Sequence, residues 1–245
     1  MNAGANMQLE NVCCPICAGE GRAAIEENGY TGRRCDRCGV IFISPRPDQE
    51  SMLAQYGEAY ATTHIPFAAV KRIQARFALR IIQRYRQGGS LLELGSGGGF
   101  FLSEASKAGF DPAGIEPNPV EVEHIKQVLG LRCERGPLRE DSYEGETFDV
   151  VYHCDVLSHL HEPLDTFRML HGKMNEDGVM VFETGNIGDI AARHYPLFRT
   201  FEYPNHLYFF GERSLRSILE QAGFEVVEIK RYSIVLSAYV AKPLW

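Results

Sequence analysis

No uninterrupted apolar run in this sequence approaches the roughly 18 residues that a bilayer-crossing helix requires, so no membrane role is expected. The opening residues, MNAGANMQLENV, lack the basic and then apolar segments of a secretory leader. A cytoplasmic, reducing setting is therefore expected, in which stable disulfides are not. An excess of positive charge is missing as well: 25 Lys and Arg stand against 32 Asp and Glu, a net charge of −7 with a pI near 5.6. A chain of that sign repels phosphate on average, so nucleic acid is not expected as the main partner. No Gly-Lys-Ser/Thr follows the glycine-rich turn, which excludes a P-loop, and that turn does not read G-x-G-x-x-G either. Internal repeats and low-complexity tracts are also absent.

What is present fits an ordinary globular protein: 44% hydrophobic and 23% charged residues. At 245 residues there is room for one large domain and a small appendage. The appendage announces itself in CCPIC and RRCDRCG. Cys14 and Cys17 form one C-x-x-C pair, Cys35 and Cys38 another, with seventeen residues between the pairs. Each pair makes a tight knuckle that offers two thiolates, and two knuckles close a tetrahedron around Zn²⁺. Four thiolates leave no open position for water, so such a zinc is structural. A redox C-x-x-C pair is the competing reading. Cys13 is left over, and Cys133 reads as a buried small hydrophobe.

The boundaries expected are a zinc lobe at 1–44, a helical linker at 45–89 and a larger domain at 90–245. In the linker, KRIQARFALRIIQRYR carries no acid. Ile73, Phe77, Ile81 and Tyr85 recur every four residues as an expected buried face. Arg72, Arg76, Arg80 and Arg84 form a basic stripe, either a solvated face or an anion contact. From Ser90 onward strands and helices alternate. Strands are expected at SLLELG, DPAGIEP, LRCERG, TFDVVYHCDV and GVMVFET, with EVVEIKRY and IVLSAYVAK closing the sheet. Alternation of this kind implies a doubly wound, mostly parallel α/β sheet.

The first strand ends in LLELGSGGGFF, which sets Glu93, Gly95, Gly97 and Gly99 at its carboxyl end. Glycines there permit a tight turn and close approach of backbone to a ligand. Glu116 ends the second strand, where a carboxylate can accept both hydroxyls of a ribose. With these segments in order, the run from Ser90 to about Ala241 resembles the class I S-adenosylmethionine-dependent methyltransferases. The resemblance implies a Rossmann-like, seven-stranded sheet and a bound S-adenosylmethionine. It puts Gly95, Gly97 and Gly99 beneath the cofactor and Glu93 at the loop or the methionine amine. Glu116 would bind the ribose, flanked by Pro117 and Asn118. Leu138 would lie near the adenine, and Cys154 near the methionyl end.

The head and linker, with YPNHLYFF and SLRSILEQAGF, resemble a zinc-headed bacterial subset of that family that methylates sugars, nucleotide sugars or secondary metabolites. That resemblance implies a small-molecule acceptor and makes His206 a candidate base, although Asn205 stands where the subset has an acid. A structural histidine in an aromatic cluster is the other reading of His206. His159 and His161 read as capping or packing residues, and Tyr56 and Tyr60 as candidates to close over the methionine carboxylate. An RNA methyltransferase with a zinc head and a non-catalytic binding module remain as alternatives, and a homodimer is left open.

Overall fold

The structure, a computed structural model, describes residues 7–55 and 68–231. Tyr56, Tyr60 and the strand expected at 234–242 lie outside the described residues. The chain divides into two compact units. One comprises Met1–Ala54, Asp155–Arg168 and Thr184–Glu228; the other comprises Gln55–Cys154, Met169–Glu183 and Ile229–Trp245. No helix among the described residues is long and apolar enough to cross a membrane.

The first unit begins with β1 (Leu9–Glu10), β2 (Gly21–Glu27), β3 (Tyr30–Cys35), β4 (Ile41–Ile43), β5 (Arg46–Pro47) and the short helix α1 (Gln49–Leu53). Strands β2 and β3 form a hairpin around Asn28 and Gly29, which have φ of 53° and 82°. Two consecutive left-handed residues give the turn whose twist matches that of paired strands. Asp48 caps α1 by accepting a hydrogen bond from the Ser51 N–H at 2.8 Å, the exchange that makes Asp a strong helix starter.

The second unit holds α2 (Ala68–Ile82), β6 (Gly89–Leu94), α3 (Phe100–Lys107), β7 (Phe110–Glu116), α4 (Pro119–Glu123), β8 (Arg132–Arg135), β9 (Phe148–Cys154) and β10 (Met174–Glu183). Helix α5 (Pro163–Gly172) runs across the division between the units. Five parallel strands form one sheet in the order β10-β9-β6-β7-β8. The central β6 pairs with β7 on one side and β9 on the other. Leu91, Leu92, Val150 and Val151 there are fully buried, as expected of strands covered on both faces. The sheet is therefore Rossmann-like but five-stranded among the described residues, not seven-stranded. Residues 225–231, expected to begin a closing strand, carry no strand.

The buried face of α2 also differs from expectation. Ala75, Ala78, Leu79 and Ile82 are buried and pack with Leu91, Phe101, Ala105 and Tyr152. Ile73 and Phe77 are 53% and 39% exposed. A strict four-residue repeat advances about 400° per step and drifts around the helix, whereas the i, i+3, i+4, i+7 spacing stays on one face.

The aromatic-rich segment after β10 belongs to the first unit, although it was expected within the 90–245 domain. It ends in β11 (Tyr208–Phe209), followed by α6 (Glu212–Gln221). Strand β11 pairs antiparallel with β4, Tyr208 opposite Phe42 and Phe209 opposite Ile41, extending the hairpin to the four-stranded order β11-β4-β3-β2. Arg46, 3% exposed, ties the unit together. Its guanidinium donates to Glu10 at 2.7 Å, Glu162 at 2.7 Å, the His161 carbonyl at 2.7 Å and the Tyr208 hydroxyl. A buried arginine survives only when its donors are met in this way.

Candidate functional site

Strand β6 runs directly into the glycine turn. Gly95, Gly97 and Gly99 have φ of 73°, 49° and 72°, a left-handed conformation that other residues adopt only at a cost. A Cβ on Gly99 would lie 2.7 Å from Ile125 Cγ1 and 2.8 Å from Leu129 Cδ1, so space as well as φ requires glycine there. A Cβ on Gly97 would meet nothing nearer than Glu121 Oε1 at 3.9 Å. That side of the turn therefore has room for a ligand to approach the backbone.

Glu116, at the end of β7, is brought to this turn. Its Oε2 accepts from the Gly97 N–H and its Oε1 from the Asn118 N–H, each at 2.8 Å. The carboxylate thus fixes the loop and retains further lone pairs for ligand hydroxyls. Burial raises its pKa, opposed by those two N–H bonds. Asn118 is fully buried and caps α4, its Oδ1 accepting from the Val120 N–H at 2.9 Å. Pro117 joins the two.

Glu93, opposite Gly114 in the sheet register, is 5% exposed. Its Oε2 is buried with no hydrogen-bond partner among the described residues. Burial, and then the neighbouring Glu116, push its pKa well up. Glu121, in the first turn of α4, is 4% exposed. Burial first, and then Glu116, raise its pKa to about 7. Sequence reasoning missed Glu121; the available signal was its place three residues past the Asn118 cap, in the first turn of the helix that follows Glu116. Three acids held together out of water call for cationic company. The orphaned Glu93 oxygen and the open side of Gly97 suit a cofactor with an ammonium and a sulfonium.

The other cofactor candidates also lie in this unit. Leu138 is buried beyond β8, and Cys154 closes β9 opposite Glu183 of β10. The arginine stripe is partly spent within the unit. Arg72 Nη1 and Arg76 Nε reach the two oxygens of Glu104 at 3.0 and 2.7 Å, and Lys107 adds a third contact at 2.8 Å. The Lys107 bond, together with the two arginines, lowers the Glu104 pKa to about 2.

In the first unit, the two C-x-x-C pairs converge. The Sγ atoms of Cys14 and Cys38 are 3.4 Å apart, Cys17 and Cys14 3.6 Å, and Cys17 and Cys35 3.4 Å. One ligand atom from each of the four lies within 4.8 Å of the others. A tetrahedron with metal–sulfur bonds of about 2.3 Å has edges of about 3.8 Å, so the thiols have the right spacing for one ion. Each knuckle closes through its backbone: Ala18 N–H on the Cys14 carbonyl at 2.8 Å, and Gly39 N–H on the Cys35 carbonyl at 3.0 Å. The hydrogen bond from the Cys14 thiol lowers the pKa of Cys38. Cys13 is exposed and outside the cluster.

His206 also lies in the first unit. Its Nδ1 is 3.1 Å from the Phe201 carbonyl, which fixes the proton on that nitrogen. Its Nε2 is thereby left as the basic atom, 3.9 Å from Glu202. The ring meets His159 and Phe209 edge-on, at 4.8 and 5.8 Å. Burial lowers the His159 pKa to about 4. The loop that carries Phe201 is clamped by Glu27 of β2, which accepts from the N–H groups of Phe201 and Tyr203 at 2.8 Å each. His161 lies against Arg46, with Nδ1 3.1 Å from Nη2.

The profile of a family described as a methyltransferase domain matches residues 63–229. Among curated proteins, the chain is similar to the tRNA U34 carboxymethyltransferase of Vibrio atlanticus. The two are 33% identical over 151 residues, covering 57% of this chain and 46% of that protein. The protein of the same name from Photobacterium profundum is 30% identical over 158 residues, covering 60% and 48%. The chain spans about half the length of the curated relatives it matches. Among solved structures, a SAM-dependent methyltransferase from Thermotoga maritima has the same fold. Its TM-score is 0.54 at 18% identity, over 69% of this chain and 80% of that one. These relatives correct the expectation that nucleic acid is not a partner, for the proteins most informative about substrate are named for tRNA. Net charge is a sum over the whole chain, while phosphate binding depends on where the cations are placed.

Proposed function

The chain belongs to the methyltransferase-domain family whose profile spans residues 63–229, and from that membership we propose an S-adenosylmethionine-dependent methyltransferase that acts on RNA. The cofactor half of the reading is supported by the turn at Gly95, Gly97 and Gly99 with Glu116 locked across it at 2.8 Å from the Gly97 nitrogen. The RNA half is supported by one observation, that the curated relatives are named for a tRNA nucleotide.

When bound, S-adenosylmethionine supplies a sulfonium methyl that an acceptor lone pair takes by in-line displacement, the carbon–sulfur bond breaking as the new bond forms. The chain's own residues bind and orient. Glu116 accepts the ribose hydroxyls while its N–H bonds keep the loop in place. Glu93 and Glu121, whose pKa values burial raises, become negative when a cationic ligand is beside them, in a buried setting where that attraction is screened little. His206 is the proposed base for an acceptor that must lose a proton, with its Nδ1 proton held on the Phe201 carbonyl and Nε2 free to accept. Cys14, Cys17, Cys35 and Cys38 are proposed to hold one structural Zn²⁺, closed to water by its four thiolates.

The test is transfer of label from methyl-tritiated S-adenosylmethionine to bulk tRNA by the full chain. Labelled tRNA that withstands protease and is lost to ribonuclease supports the reading. Cofactor binding without any transfer to RNA overturns the substrate class. In the same assay, His206→Ala is expected to abolish transfer while leaving cofactor affinity intact. Retained turnover removes the base role.

A further inference from the structure

The segment from Ile190 to Phe201, IAARHYPLFRTF, contains no acid in a chain whose net charge is −7. Arg193, His194, Leu197, Phe198 and Arg199 are all exposed on it, with Leu197 75% and Phe198 37% exposed. Several exposed arginines elsewhere in the structure are matched to acids, among them Arg22 to Asp36, Arg132 to Glu146 and Arg216 to Glu212. Arg193 and Arg199 have no carboxylate partner among the described residues. Among the described residues, Arg193 makes a side-chain hydrogen bond to the neighbouring His194, at 3.3 Å. The acids flanking the segment are occupied: Asp189 accepts from the Glu212 N–H at 3.1 Å, and Glu202 lies toward His206.

The segment is held in place from below. Tyr195, 8% exposed, is its one buried side chain, and its hydroxyl accepts from Arg34 Nη2 of β3. The other guanidinium nitrogen of Arg34 donates to the Gly188 carbonyl at 2.9 Å. Phe201 meets Tyr195 edge-on at 5.7 Å and Phe198 at a tilt at 5.6 Å, and its N–H is bound by Glu27. An exposed aromatic ring, an exposed aliphatic side chain and two uncommitted guanidinium groups are thus presented together on an anchored, acid-free strip.

We propose that this strip is a docking surface for single-stranded RNA, resting on the reading above that the acceptor is RNA. Every base offers a π-face to an aromatic ring, and single strands present those faces where duplexes hide them. Phe198 stacks on an unpaired base, and Arg193 and Arg199 neutralise the phosphates on either side. Charge complementarity selects a polyanion, and the exposed ring between the arginines selects one with accessible bases.

The experiment measures binding of the full chain to a fluorescein-labelled single-stranded RNA by anisotropy across a salt series. It compares wild type, Arg193→Ala/Arg199→Ala, Phe198→Ala, and Arg22→Ala as an exposed control. Each phosphate contact contributes about 0.7 to the slope of log K against log salt for single strands. The double arginine variant should therefore flatten the slope by about 1.4. Phe198→Ala should weaken binding about tenfold with the slope unchanged, and Arg22→Ala should match wild type. The altered side chains are exposed, and thermal melts by circular dichroism establish that the variants stay folded. Wild-type binding that the Arg193, Arg199 and Phe198 changes leave intact overturns this surface while sparing the RNA reading. Equal affinity for duplex RNA overturns the stacking contact. A wild-type chain that binds no RNA overturns both.

Discussion

Replacing Glu121 by Gln tests whether the carboxylates around the glycine turn carry the electrostatic strain that the structure assigns to them. Glu121 is 4% exposed and stands 3.9 Å from the position of a Cβ on Gly97. Burial and the charge of Glu116 carry its pKa from 4.5 to about 7, opposed by Lys71. The folded protein therefore favours the protonated form. This group's contribution to stability is complete below pH 4.5, is lost as pH rises toward 7, and is level above. At about 1.4 kcal/mol for each tenfold change, the full loss is about 3 kcal/mol. Between pH 5 and pH 8 the share expected is about 2.5 kcal/mol by the same relation. Gln keeps the shape without the charge, so the variant should gain on wild type by about that amount across this range. Urea unfolding followed by circular dichroism at pH 5 and pH 8 measures it. If the two proteins change in parallel, Glu121 does not titrate near 7 and the account of a strained acid cluster fails. A cationic ligand relieves the same strain. Wild-type affinity for S-adenosylmethionine should therefore rise as pH passes 7, and rise less steeply in Glu121→Gln, which retains only Glu93 as a carboxyl of raised pKa beside Glu116.

Three other outcomes follow from named contacts. Gly99→Ala forces a side chain onto φ of 72° and to within 2.8 Å of Ile125 and Leu129. It should lower stability by about 2 kcal/mol, read by thermal melting, and unchanged melting contradicts the turn geometry. Glu104→Gln leaves Arg72, Arg76 and Lys107 around a neutral group, at a cost of about 1 kcal/mol at pH 7, because the Arg76 and Lys107 side chains are solvent-exposed and screened. Because the Glu104 pKa is lowered to about 2, the deficit should shrink as pH falls from 4.5 toward 2. Cys35→Ser should abolish zinc binding measured by metal analysis of the purified chain, while Cys13→Ser should keep about one zinc per chain. Equal loss in both contradicts the assignment of Cys14, Cys17, Cys35 and Cys38.

The glycine turn and the sheet beneath it were legible because their signals are local. Buried parallel strands read as unbroken runs such as FDVVYHC, and glycines at three left-handed positions must appear as glycines. The cysteine pairs were legible for the same reason, each being a closed knuckle of four residues. What escaped depends on partners far apart in the chain. Strand β11 is two residues long and has no periodicity, so nothing in YPNHLYFF announces pairing with β4 some 165 positions earlier. The segment around His206 consequently read as part of the larger domain instead of an extension of the cysteine lobe. Arg46 and Glu27 carry no sequence signal of their own, yet one is a buried four-way donor and the other clamps the loop at Phe201 and Tyr203. On α2, a four-residue repeat of large apolar side chains drew the eye from Ala75, Ala78, Leu79 and Ile82, whose small and large members pack closely on the sheet.

The central claim is that this chain binds S-adenosylmethionine at the glycine turn through Glu116, and titration calorimetry tests it most directly. Wild type is expected to bind about one equivalent. Glu116→Gln should bind at least tenfold more weakly, because a charged acceptor of two backbone N–H groups and of the ribose hydroxyls has been replaced by a neutral amide. Absence of binding by wild type, or equal affinity in the two proteins, would contradict the account.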